Sequence, residues 1–185
     1  MFTIWEIVQI LITIIAVGFI FSPKVHRTHS IEEGLKESKY EFWDELKFGI
    51  AIASPAVIVH ELAHKFLAMA YGFTATYFAS WWGLGIGVAL KFFSPGFIFF
   101  IPGYVSIIGT GTAIQFGLVA LAGPLTNLIL FALFWFLSYK DIAPKYAIIW
   151  SIGRQINLWL FVFNMLPIPG LDGFKFYLSI FQTLT

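Results

Sequence analysis

His60-Glu61-Leu62-Ala63-His64, set inside the apolar run 48–71, decides how the rest of this chain must fold. On a helix, H-E-x-x-H puts two imidazoles one turn apart on the same face, where both can bind one Zn²⁺ through ring nitrogens at about 2.0–2.1 Å. Glu61 falls roughly 100° further around, which suits it to act on the metal's water rather than to ligate. The run would extend about 36 Å as a helix, enough to cross a bilayer. Two histidines and a glutamate are costly at that depth and call for a functional explanation. The bland alternative is a chance match, with both histidines satisfied inside a helix bundle.

Composition sets the surroundings of this stretch. Of 185 residues, 59% are hydrophobic and 11% charged, where a soluble domain has roughly 25% charged. So much apolar surface predicts a polytopic membrane protein. The net charge is +1, and no basic tract points to nucleic acid. Cysteine is absent, which excludes disulfides, thiolate zinc and a cysteine nucleophile. Any metal site must use His, Asp or Glu.

Outward from the motif, Ile4–Phe21 reads as a first span, interrupted only by Glu6 and Gln9. A cleaved signal peptide is the rival reading, but Met-Phe-Thr before it is not a positive n-region. Residues 24–47 form a polar connector of mixed sign, with a surface helix around 31–43. His26 and His29 lie there, more simply read as solvated than as ligands. Pro55 is placed to kink the second span, and Gly72 to stop it. Residues 73–112 are apolar but rich in breakers. Short β-type runs at 84–90, 97–101 and 104–108, with a turn at Ser94-Pro95-Gly96, predict a hairpin or re-entrant sheet. An edge of that sheet could pair with an extended peptide. The alternative is one broken transmembrane helix. Ala113–Tyr139 reads as the third span, with Ala122-Gly123-Pro124-Leu125-Thr126-Asn127 near its middle. Residues 147–166 read as the fourth, ended by Pro167 and Pro169. The remaining 174–185 is too short for another.

Catalytic zinc usually takes three protein ligands and keeps a fourth position open. The candidates for the third ligand in or bordering the spans are few: Glu6, Asp141 and Asp172. Spans two and four run in the same direction, so the HELAH end and the Pro-rich end face the same side. Asp141 lies at the opposite surface. Topology therefore brings Asp172 to the metal.

HELAH, AGPLTN and Asn164-Met165-Leu166-Pro167-Ile168-Pro169-Gly170-Leu171-Asp172-Gly173 stand in that order. Together they resemble the site-2 protease family of intramembrane zinc metalloproteases. The resemblance implies one Zn²⁺ per chain held by His60, His64 and Asp172, with Glu61 as general base. It also implies that Asn127 and Asn164 assist, orienting the substrate backbone or stabilising the oxyanion. Residues 1–47 carry no family motif.

The expected fold is thus all-α and polytopic, with about four transmembrane helices, a three-helix catalytic core and a small membrane-associated β-hairpin or sheet. Residues 1–185 read as a single membrane-embedded domain, with 1–47 as N-terminal span and connector and 48–173 as catalytic core. The expected partners are a transmembrane protein substrate and the lipid bilayer, in a multi-pass protein of the cell membrane. Two other readings stay open: a non-catalytic metal-stabilised scaffold, and a small transporter using the polar residues at midplane depth. Lys/Arg bias would make the side of 24–47 and 140–146 cytosolic. The resemblance would make the active-site side cytosolic.

Overall fold

Thr3 starts the first helix. Its hydroxyl accepts from the Glu6 N–H at 3.1 Å, and the Glu6 carboxylate accepts from the Thr3 N–H at 3.0 Å, a reciprocal capping box. The helix, α1 (Ile4–Phe21), coincides with the expected first span. The computed structural model describes residues 2–22, 31–93 and 101–184, of which 31–41 as backbone only. His26, His29, the Ser94-Pro95-Gly96 turn and most of the 97–101 run lie outside the described residues.

The second helix, α2 (Ile31–Ala70), is 40 residues long. The surface helix expected around 31–43 and the span expected at 48–71 are one element. A change from polar to apolar side chains alters what surrounds a helix but breaks none of its backbone bonds. Pro55 lies inside α2 without ending it. Termination comes at Gly72, with φ +84°. The Gly72 N–H donates to Met69 O at 2.9 Å and the Phe73 N–H to Ala68 O at 3.0 Å, the paired bonds of a Schellman motif.

The chain then forms β1 (Thr74–Ala79), α3 (Trp81–Phe93) and β2 (Gly103–Ile108). β1 and β2 pair antiparallel, from Thr74 opposite Ile108 to Ala79 opposite Gly103. The small sheet is therefore present and the strand at 104–108 correct, but the run at 84–90 is helical. Ser80 explains the difference, since its hydroxyl accepts from the Gly83 N–H at 3.1 Å and caps a helix. Gly83 and Gly87 are both buried, and their spacing of four is that of a helix face. A Cβ on Gly83 would run into the Ile101 carbonyl.

Thr112 and Gln115 form a second capping box at the head of α4 (Ala113–Tyr139). A 3₁₀ turn at Pro144–Tyr146 leads into α5 (Ala147–Asn164), and the chain closes with α6 (Asp172–Leu184). Among the described residues, three helical stretches are long and apolar enough to cross a membrane: Ile4–Phe21, Phe42–Ala70 and Ala113–Tyr139. α5 is helical where a fourth span was expected, but Ser151, Arg154, Gln155 and Asn157 keep it out of that set.

Small residues set the closest approaches. A Cβ on Gly49 of α2 would collide with the Gly18 carbonyl of α1, so these helices cross in backbone contact. A Cβ on Gly117 of α4 would meet the Ser179 hydroxyl of α6. Val17, Ile52, Ala53, Val57, Tyr77, Ala79 and Leu84 form the main apolar core, bringing together α1, α2, β1 and α3. α5 packs along its rim through Ile149, Ile152, Ile156 and Leu160.

Candidate metal centre

Three elements meet at one point. α2 presents His60 and His64 from adjacent turns, and α6 opens with Asp172. His60 Nε2 and His64 Nε2 are 3.1 Å apart. Asp172 Oδ2 is 3.1 Å from each of them. All three residues are buried.

The far side of each imidazole is fixed by α4. His60 Nδ1–H donates to Asn127 Oδ1 at 2.6 Å, and His64 Nδ1–H donates to the Val119 carbonyl at 2.7 Å. With Nδ1 donating, each ring turns the lone pair of Nε2 towards the common point, as metal-binding histidines do. Asn127 is itself held: its amide nitrogen donates to Ala56 O and to Asn157 Oδ1, both at 3.0 Å. Asn157 in turn donates to Gly153 O at 2.8 Å. The chain of bonds ties α2, α4 and α5 together, and both asparagines are wholly buried.

Three acceptor atoms held at 3.1 Å need a positive charge between them. A tetrahedral zinc with ligands at about 2.0–2.1 Å has edges of about 3.3 Å, close to this triangle. Space for an ion is kept by Gly123, whose Cβ would stand 2.6 Å from His60 Nε2 and closer still to His64 Nε2. A carboxylate ligates in its anionic form, and Asp172 Oδ2 stands at the same distance from both Nε2 atoms. The donor set therefore fits a divalent cation with two histidines and one carboxylate.

The other candidates sit elsewhere. Glu61 is buried beside this triangle without joining it, and among the described residues its carboxylate accepts no hydrogen bond. Asn164 is at the end of α5, with its amide donating to Leu160 O of its own helix at 3.0 Å. Both N–H groups of Asn127 are committed, to Ala56 and Asn157, and its Oδ1 accepts from His60. Glu6 pairs with Lys65, and Asp141 is exposed on the turn after α4. Sequence reasoning also left Asn157, Gly123 and Gly173 without a site role. A Cβ on Gly173 would stand 2.6 Å from the Met165 carbonyl, so Asp172 reaches the triangle only because its neighbour is glycine. The signal for Asn157 is a polar residue in an apolar helix, facing another one.

The chain is 33% identical over 180 residues, 92% of its own length and 82% of the relative's, to a provisionally named zinc metalloprotease, MJ0611, of Methanocaldococcus jannaschii. Two further provisionally named zinc metalloproteases match shorter stretches. Rip2 of Mycolicibacterium smegmatis is 42% identical over 67 residues, 34% of this chain and 26% of that protein. YwhC of Bacillus subtilis is 40% identical over 68 residues, 31% of each chain. No family model matches the chain, and no solved structure matches it.

Proposed function

The chain belongs to the site-2 protease-like family of zinc metalloproteases, and from that premise we propose that it is an intramembrane zinc endopeptidase that hydrolyses peptide bonds of transmembrane proteins. The observation that carries the reading is the 3.1 Å triangle of His60, His64 and Asp172, built partly on helices apolar enough to cross a bilayer. These three residues would hold the zinc, which would supply Lewis acidity for activating a water and polarising the scissile carbonyl.

The protein's own groups do the rest. Glu61 takes a proton from the attacking water and hands it to the leaving amine nitrogen. Its carboxylate is available for this because no described residue donates to it, and its oxygens are not among the sealed, unpartnered atoms. Asn127 acts through His60 as a positioning residue, fixing the tautomer that exposes Nε2. Asn164 supports the end of α5, over which Gly173 and Asp172 turn. A transmembrane helix hides its peptide bonds in its own hydrogen bonds, so cleavage needs it locally extended. β2 is suited to hold it so. Tyr77 and Ala79 of β1 turn their N–H groups away from β2. In this register Gly103, Val105 and Ile107 then direct their backbone groups outward, forming an edge for an added strand.

Aromatic residues support the membrane setting. Trp135, Tyr139, Tyr146 and Trp150 gather around the α4–α5 turn, with Lys140 and Lys145 over the two tyrosine rings. This is the make-up of an interfacial belt.

Purified protein in detergent is expected to contain one zinc per chain and to cleave a fluorophore-tagged single-span protein in liposomes. A chelator should abolish cleavage and added zinc should restore it. Metal-free protein that cleaves as fast as zinc-loaded protein would overturn the reading. Asn127→Leu is expected to weaken zinc about 10–100-fold, read by competition with a chromophoric chelator. Unchanged affinity would remove Asn127 from the positioning role.

A further inference from the structure

β1 has two edges, and the one away from β2 is closed by side chains. The Tyr77 N–H donates to Glu6 Oε1 at 2.8 Å, and the Ala79 N–H donates to Gln9 Oε1 at 2.9 Å. Between these elements stands Lys65 of α2, whose ammonium donates to the Ala75 carbonyl and to Glu6 Oε1, the latter at 2.6 Å. Residues 75, 77 and 79 thus find on α1 and α2 the partners that a third strand would have supplied. Lys65, Glu6 and Gln9 are at most 2% exposed. A charge buried that deeply is kept only with its partner.

Two further facts give this arrangement a purpose. Lys65 directly follows His64 in α2, so the group that grips β1 is one residue from a ligand in the triangle. And the sheet has only two strands among the described residues, too few to hold a position unaided. The place of β2 relative to the metal centre is therefore set by what fixes β1.

We propose that Glu6 and Gln9 are positioning residues for proteolysis: acting as a surrogate third strand on β1, and through Lys65, they set the distance and angle between the β2 edge and the metal centre. This rests on the reading that β2 receives the substrate as an added strand. It also gives the sheet one open edge, because a peptide cannot add to β1 while α1 occupies it. The bond serves position, since only half of the Gln9 amide is used. Its Nε2 is buried with no partner among the described residues.

The test uses the full-length chain in liposomes with a tagged single-span substrate that the wild type cleaves. Gln9→Met removes the acceptor for Ala79 and keeps the shape of the side chain. It is expected to raise KM about tenfold, the size of one lost hydrogen bond, with kcat within about twofold and one zinc per chain. Gln9→Glu, which keeps an acceptor oxygen, should restore KM to near the wild-type value. A merely structural role predicts the opposite split, with lower thermal stability and zinc content but an unchanged KM in the protein that remains folded. That result, or wild-type KM in zinc-loaded Gln9→Met, would overturn the proposal. If Gln9→Met does not fold, Gln9→Leu carries the same test, because it too removes the acceptor for Ala79 and should raise KM likewise. Val105→Pro separates this idea from its premise, since it removes an outward N–H of β2 without touching the ladder to β1. Unchanged KM in Val105→Pro would discard the docking edge itself. Raised KM there, with Gln9→Met at wild type, would discard only the role of α1.

Discussion

Glu61→Gln protein is expected to keep one zinc per chain and to lose turnover by about 10²–10⁴-fold, the usual contribution of a general base. The expectation follows from where Glu61 stands. It follows His60 on α2, turned about 100° from the ligand face. It is buried, lies outside the triangle of His60, His64 and Asp172, and accepts no hydrogen bond among the described residues. Exchanging its carboxylate for an amide of the same shape therefore leaves the ligand atoms and their supports at Asn127 and Val119 untouched. What the amide cannot do is accept a proton from water at neutral pH. Zinc content measured by atomic emission and turnover measured on the same preparation separate the two roles. Full turnover in zinc-loaded Glu61→Gln would sink the mechanism. Loss of zinc would make Glu61 part of the metal site instead.

Parts of this arrangement were legible from the chain alone, for definite reasons. α1 and α4 could be bounded because each is an uninterrupted apolar run, and the structure shows why each begins where it does: Thr3 and Thr112 cap them. The meeting of His60, His64 and Asp172 was legible because i, i+4 spacing puts the two histidines on one face, and an alternation of helix direction brings the turn after α5 to the same side. α3 was not, since Gly83, Gly85 and Gly87 look like breakers until the helix has a partner for its small face. β1 was missed because Thr-Ala-Thr-Tyr-Phe-Ala is short and its alternation pays off only against β2. The join of connector and span in α2 was hidden for a different reason: polarity marks what a helix touches, not where its hydrogen bonds stop.

The supports of the site were the harder part. Asn127 is polar within an apolar helix, which announces a bond but not its partner. Only the fold shows that His60 is one of its partners. Glu6 and Lys65 carry a weaker but usable signal, as opposite charges each set in an apolar run. In a medium where an unpaired ion is costly, two such charges must be suspected of finding each other. Glu6 reads as a possible ligand only while its partner is unknown. Close approaches such as that at Gly123 leave no periodic trace, because what matters is an atom that is absent.

That absent atom yields the second large effect. Gly123→Ala is expected to reduce zinc affinity by more than about 100-fold, beyond the range for loss of a supporting partner, and to abolish cleavage with it. Val119, Gly123 and Asn127 lie four residues apart along α4, on one stripe of the helix. The first holds His64 through its carbonyl and the last holds His60 through its amide. Between them, a methyl on residue 123 would stand 2.6 Å from His60 Nε2, 2.7 Å from His60 Cε1 and nearer still to His64 Nε2. Neither ring can swing aside without breaking the bond at its Nδ1, and both bonds are anchored on the same helix that carries the methyl. The ligands must part, and the ion loses its place. Stability should fall as well. Alanine is a better helix former than glycine by about 0.8–1.0 kcal/mol, but a buried hydrogen bond lost at His60 or His64 costs about 1–3 kcal/mol, so metal-free Gly123→Ala should unfold somewhat earlier than metal-free wild type. Thermal unfolding in excess chelator, set beside zinc titrations of the same two proteins, reads both quantities. Wild-type zinc affinity in Gly123→Ala would show that the ion does not sit between these rings.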